Sequence, residues 1–339
     1  MPRRPLAWRD PAGRLTASPS RFPRGILALA DEVHARGLKL GIYTCAGALT
    51  CGGEPGSEGF EATDAATFAE WEVDYVKDDY CHAPPEGEAA IERYTRMGDA
   101  LATCGRSIVF AVCEWGQRAP WEWAPSVRAS LWRCGPDIQD AWEGAGGIGE
   151  VLDQTEPLAE WAGPGAWNDP DMLVAGLRGN SRPGAAGTRG CTDAEYRTQL
   201  SLWAMMAAPL HASCDLRFAD HATLETHTNS NLIAIDQDRL GVPARRVMRI
   251  GPVELWQRPL TGGATAVAIV NRSQASTSVQ IEWPSEHGGL PELLNCWTGE
   301  VVDRPVDRAS FEAHGTGVFR LDRELPAGKP AVEMTVLGA

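Results

Sequence analysis

The sequence predicts an α/β protein: a parallel (β/α)8 barrel of the TIM type lacking its first two strands, followed by an antiparallel β-sandwich. Three observations carry this expectation. Over the first two-thirds of the chain, short apolar runs rich in β-branched residues alternate with amphipathic stretches every ~30 to 40 residues, the pattern of βα units around a parallel sheet. After about residue 245 the texture changes to short alternating runs broken by Gly, Pro and Ser. No glycine-rich phosphate loop follows any strand candidate, which removes support for a dinucleotide-binding sheet.

The chain opens on a loop, RDPAGRLTASPSRFP (9–23), and its first periodic stretch is the helix candidate GILALADEVHARG (25–37). Strand candidates then follow at LKLGIYT (38–44), VDYVKDD (73–79), SIVFAVC (107–113), SLWRCGPDI (130–138), GAWNDPDML (165–173) and APLHASC (208–214). Between them lie the helix candidates TFAEWEV (67–73), AAIERYTRMGDALATCG (89–105) and EYRTQLSLWAMMAAP (195–209). A closed barrel of this type needs eight strands, so two are missing. Because the chain starts with a loop and a helix, the expectation is that the pair would lie before residue 1, in a shortened chain or an incomplete barrel. The runs VMRIGPVELWQRPL, ATAVAIVNRS, STSVQIEWP, LLNCWTGEVV and TGVFRLD supply the sandwich. The expected division is therefore a barrel over 1–244 and a sandwich over 245–339.

Composition narrows the function. A net charge of −14 argues against a nucleic-acid partner, which favours a basic face. No apolar run approaches the ~20 residues that span a bilayer, so no membrane partner is expected. MPRRPLAWRD carries positive charge without a following apolar stretch and does not read as a signal peptide. The chain holds 13 Trp against 5 Tyr and 7 Phe, and the flat face of Trp stacks well on sugar rings, although a Trp-rich core would give the same count. Nine cysteines cannot all pair within the chain, and their spacings match no zinc pattern, so no metal is expected.

In such barrels the functional residues sit at the C-terminal ends of strands. Those ends read KDD (77–79), CEW (113–115), WRCGPD (132–137) and WNDPD (167–171). Any one acid there could be a helix N-cap, but four acidic ends converging on one mouth point to a site. Side chains at i and i+2 share a strand face, so Lys77 and Asp79 point one way and Asp78 the other. If Lys77 faces the mouth, its ammonium favours an ionised Asp79, as a nucleophile requires. The opposite register makes Asp78 the inward residue, and spacing alone leaves both open. Two carboxylates across a sugar are the minimum for glycoside hydrolysis, and Asp79 and Asp137 come from different strands. Arg133 could donate a fork of hydrogen bonds to a sugar hydroxyl, or serve a structural ion pair.

With these strand ends in view, the chain resembles the retaining α-galactosidases (melibiases), glycoside hydrolase family 27. The likeness runs through FPRGILALADEVHARGLKLGIY (22–43), TCGGEPGSEGFEATDAATFAEWEVDYVKDDYC (50–81), CEWG (113–116), WRCGPDIQDAW (132–142), AGPGAWNDPDMLVAG (162–176), WAMMAAPL and NLIAIDQDRLG (231–241). The resemblance implies Asp79 as nucleophile and Asp137 as acid/base. It implies sugar contacts from Lys77, Cys113, Glu114, Trp115, Arg133, Asp171 and Met172, and a disulfide between Cys51 and Cys81. The stretch Cys113–Trp115 follows the galactosidase rather than the N-acetylgalactosaminidase pattern.

The implied reaction is removal of terminal α-D-galactose from a carbohydrate by double displacement, without a cofactor. A β-L-arabinopyranosidase and a catalytically impaired sugar-binding remnant are the alternatives. Three departures stand out: the family's N-terminal strands, with a tryptophan and an Asp-Asp pair, have no counterpart here; Asp78 replaces an aromatic; and Cys45 stands where many relatives have an acid. Localisation follows two expectations, secretion if a leader precedes this sequence and the cytoplasm otherwise. Oligomeric state stays open, a homo-oligomer included.

Overall fold

A computed structural model describes residues 8–85, 87–179, 190–283, 293–302, 308–322, 330 and 332–337. The chain forms two compact units, Met1–Arg133 and Cys134–Ala339.

In the first unit, strands β1 (Gly41–Cys45), β2 (Tyr75–Asp79), β3 (Val109–Cys113) and β4 (Leu131–Arg133) pair in parallel in chain order. Helix α1 (Gly25–His34) precedes β1, and α2 (Glu61–Glu70) and α3 (Gly87–Thr103) supply the first two crossovers. β2 ends on Asp79 and β3 just before Glu114, where the sequence placed two of its acidic strand ends, while β4 stops at Arg133, before Gly135 and Pro136. The opening loop contains a two-residue hairpin, Trp8–Arg9 with Leu15–Thr16. Its Arg9 forks onto the buried carboxylate of Asp64 at 2.6 and 2.7 Å, tying the hairpin to α2. The core between sheet and helices is Phe68, Val73, Val76, Tyr94, Met97 and Phe110, all at most 2% exposed.

The second unit begins with the loop after β4. It contains β5 (Trp167–Asp169) and the helices α4 (Ile148–Thr155) and α5 (Asp193–Met205). Helix α5 starts with a reciprocal capping box, Thr192 with Glu195, and buries almost its whole circumference, which explains its weak amphipathic pattern. The expected strand at 208–214 reduces to a single bridge between Ala212 and Leu173. Pro209 removes a ladder donor there, and the carbonyl of His211 accepts from Leu173 N instead.

From Arg245 onward the chain is antiparallel. One sheet is built from β6 (Arg245–Ile250), β7 (Val253–Pro259), β8 (Thr265–Asn271), β10 (Leu293–Asn295), β11 (Val301–Val302) and β13 (Thr316–Leu321), and the other from β9 (Thr277–Glu282), β12 (Arg308–Phe311) and β14 (Glu333–Leu337). Two cores serve this region. Val253, Leu255, Val267, Ile269, Val279 and Ile281 fill the space between the sheets. Trp256, Ala266, Ala268 and Val270 point from the alternate positions into a second core with Leu200, Trp203 and Leu152. That shared core is why the compact unit begins at Cys134, whereas the change of sequence texture falls at residue 245. No helix among the described residues is long and apolar enough to cross a membrane.

Candidate active site

The parallel register decides which aspartate of KDD faces which way. Tyr43 pairs with Lys77, Cys45 with Asp79, and Asp79 with Cys113, so Tyr43, Lys77, Asp79 and Cys113 share one face of the sheet. Asp78 pairs with Thr44 and Val112 on the other face, toward the helices. The face shared by Lys77 and Asp79 is the one with the polar partners.

Asp79 is 6% exposed, and both of its oxygens are held. The Tyr43 hydroxyl donates to Oδ2 at 2.9 Å, and the backbone N–H of Tyr80 donates to Oδ1 at 2.8 Å. Burial and the neighbouring Asp79 charge push the Tyr43 phenol well above its ordinary value, so its hydroxyl keeps the proton it donates. Tyr43 is the functional residue that strand-end reading missed. Its signal was available, since it lies two positions before Cys45 on a strand whose end was already singled out. Cys45 itself is fully buried, its Sγ donates to the carbonyl of Cys81 at 3.1 Å, and burial pushes its thiol up to about 12.

The Cys51–Cys81 disulfide is present, with 5.2 Å between Cα atoms, and joins the loop after β1 to the residue two positions beyond Asp79. The other seven cysteines lie outside this disulfide. Asp78 is fully buried and neither oxygen has a hydrogen-bond partner among the described residues. Burial above all, and then the charges of Asp79, Glu61 and Asp64, push its carboxyl well above the usual carboxylate range. Asp78 thus lies in the helix-facing layer, where burial favours its protonated form, with no part in the opposite face.

At the end of β3, Cys113 is buried, and Nη1 of Arg133 lies 3.8 Å from its Sγ. Glu114 is fully buried and raised by burial, with Arg118 opposing the shift. Its Oε1 accepts from Arg118 N and its Oε2 from Arg118 Nη1, at 3.1 and 2.9 Å. The Arg118 guanidinium in turn lies 4.8 Å from the Tyr80 ring centroid. Trp115 follows with φ of 59°, a left-handed turn that an unstrained Trp would avoid. Sequence reasoning missed Arg118, because an arginine five residues after a strand end carries no distinguishing pattern.

In the second unit Asp137 is exposed, on the loop that follows Arg133. Asp171, only 5% exposed, has φ of 82° and turns its Oδ2 to accept from the N–H of Ile138 at 2.9 Å. Its carbonyl accepts from Trp203 Nε1 at 2.7 Å. Asp171 thus buttresses the residue beside Asp137, while Met172 is 40% exposed. The three side chains Cys51, Asp79 and Cys81 lie close enough to hold an ion, but the disulfide removes both sulfurs as thiolate ligands.

Residues 5–238 match the family described as Alpha galactosidase A, and residues 250–321 match the one described as Alpha galactosidase C-terminal beta sandwich domain. Alpha-galactosidase 2 of Arabidopsis thaliana is 44% identical over 93% of this chain and 77% of its own length. The crystal structure of alpha-galactosidase I from Mortierella vinacea superimposes with a TM-score of 0.83 at 27% identity, covering 94% of this chain and 86% of that one. A β-L-arabinopyranosidase from Geobacillus stearothermophilus shares the fold, with a TM-score of 0.75 at 24% identity, over 96% of this chain and 84% of that one.

Proposed function

The chain belongs to the α-galactosidase (melibiase) family of glycosidases, and from that premise we propose that it removes terminal α-D-galactose from oligosaccharides or glycoconjugates by a retaining double displacement. The observation that carries the reading is the carboxylate of Asp79, fixed through both oxygens by Tyr43 and the Tyr80 N–H, on the same strand face as Lys77. A carboxylate so oriented is a positioned nucleophile. Asp79 attacks the anomeric carbon while Asp137 gives its proton to the departing oxygen. Asp137 then takes a proton from water, which cleaves the glycosyl–enzyme ester. Lys77, Arg133 and Trp115 are assigned to the sugar hydroxyls and ring. Glu114 reaches substrate only in company with Arg118, to which it is paired. The identity to curated α-galactosidases supports galactose over β-L-arabinopyranose, for which the likeness is one of fold. The Cys51–Cys81 bond supports an oxidising compartment.

Release of nitrophenol from an α-galactoside, with none from the β-L-arabinopyranoside, is the expected outcome. Proton NMR of the first sugar formed should give the α-anomer. Asp79→Asn should lose turnover while keeping the far-ultraviolet spectrum of the parent. Full activity in that variant sinks the assignment, and absence of activity in the parent chain favours a sugar-binding remnant.

A further inference from the structure

We propose that the antiparallel module positions the proton-donating loop, with Trp142 as the handle and His314 and Arg272 as the clamp. This rests on Asp137 being the acid/base. The loop from Asp137 to Gly149 is closed by its own backbone. Gln139 N donates to Gly146 O, Ile148 N to Ala141 O and Gly149 N to Trp142 O, at 2.8 to 3.0 Å. Gly146 has φ of 75°, and a Cβ there would come within 2.5 Å of the Asp137 carbonyl oxygen. The loop is therefore braced by its own backbone, and its first arm runs from Asp137 at the near end to Trp142 at the far end.

The middle of this loop is anchored too. Asp140 accepts from Cys191 N and the Tyr196 hydroxyl on Oδ1, both at 2.9 Å, and from Gly179 N on Oδ2 at 2.6 Å. What distinguishes the far end is that its partners come from the antiparallel module. The His314 imidazole stacks on the Trp142 indole at 4.3 Å between centroids and 11° between planes. The Arg272 guanidinium lies 5.6 Å from the indole centroid and donates to Gly149 O at 3.0 Å. Gln274 Nε2 donates to Glu143 Oε1 at 2.6 Å, one residue beyond Trp142.

His314 is itself over-determined. It hydrogen-bonds Glu195 through Nδ1 at 2.6 Å, its carbonyl accepts from Thr198 Oγ1, and its backbone sits at φ of 56°. A buried left-handed histidine with Nε2 unpartnered among the described residues is a costly way to fill space, and the stack on Trp142 is what its ring does there. Three residues from two turns of the antiparallel module thus bracket the far end of the arm whose near end carries Asp137. On this proposal, a shift of Trp142 passes through the short braced arm to Asp137.

Leaving-group dependence separates this role from a general structural one. General acid help matters for a sugar leaving group and little for fluoride, so kcat/KM should be measured on an α-galactosyl disaccharide and on α-galactosyl fluoride. Asp137→Ala sets the scale, with a large loss on the disaccharide and a small one on the fluoride. Trp142→Ala and His314→Gln should lose about 100-fold on the disaccharide, as about 1 Å of misplacement does, and only a few-fold on the fluoride. Trp142→Phe, which keeps a stacking ring, should restore most of the loss. Melting temperatures identify any variant that folds poorly, and His314→Gln keeps the test open should Trp142→Ala be one. Equal losses on both substrates in the His314 and Trp142 variants overturn the clamp while the acid/base assignment stands. No leaving-group dependence in Asp137→Ala overturns both.

Discussion

Tyr43 and Asp78 show how a single side chain's surroundings set its protonation and its use. The Tyr43 hydroxyl donates to the carboxylate proposed as the nucleophile, and a hydrogen bond to a charged group contributes about 1.5–3 kcal/mol. Tyr43→Phe should therefore lower kcat/KM by roughly ten- to a hundredfold without changing the fold, as steady-state kinetics and thermal melting would show. An unchanged rate constant would mean that the Tyr80 N–H alone orients Asp79. Asp78 lies on the other face as a buried, unpaired acid. Its raised carboxyl binds a proton in the folded state that the unfolded chain releases above about pH 4. The folded state thus loses stability as pH rises from there, and the loss continues until the buried acid itself ionises. Asp78→Asn should melt close to the parent near pH 4 and increasingly above it toward pH 8. A constant difference across that range would show that Asp78 is not titrating in this way. Asp236, pushed up to about 7 by burial, adds a slope of the same sign between about pH 4 and 7 in both proteins, so the comparison of the two isolates Asp78.

At the scale of elements, the strands place residues and the loops beyond them hold the chemistry. The period-two alternation of a parallel ladder was enough to put Lys77 and Asp79 together and to turn Asp78 away, and the register agrees. Alternation could not reveal that Glu114 would be captured by Arg118, or that Asp171 would support the backbone at Ile138, because both depend on backbone turns with positive φ at Trp115 and Asp171. The Cys51–Cys81 bond spans a sequence separation of 30 and anchors the loop over Asp79. By chain entropy a bridge of that span contributes roughly 3–4 kcal/mol. Reduction, or Cys51→Ser with Cys81→Ser, should lower the unfolding free energy by about that amount in urea titrations. Activity should fall as well, since Oδ2 of Asp79 lies 3.4 Å from Cys51 Sγ. An unaltered midpoint would exclude a stabilising role.

Across the molecule, the boundary read from texture and the boundary drawn by packing differ. Residue 245 is where alternating strands begin, yet Trp256 and Ala268 share a core with Leu200 and Trp203. Arg258, fully buried, donates to the carbonyls of Ala204 and Asp236, binding the antiparallel module to the helices before it. Residues 134–339 should therefore unfold as one cooperative transition, without a separate melt of the sandwich. Calorimetry of the full chain checks this, and a resolved transition assignable to residues beyond 245 would contradict it.

The sequence by itself determined the alternation of strands and helices and the acids near the strand ends, because periodicity and β-branched runs are local properties of the chain, although the runs 130–138 and 165–173 shorten to Leu131–Arg133 and Trp167–Asp169. It also determined that Asp79 and Lys77 belong to one face. Only the tertiary structure decided that Tyr43 holds the Asp79 carboxylate, that Asp78 is a buried acid pushed above the carboxylate range, that 208–214 is not a strand, and that Trp142 is stacked by His314 and flanked by Arg272. Each of these depends on groups brought together from distant positions, and burial, which sets the proton affinity of Asp78 and the stack on Trp142, has no signature in a linear pattern.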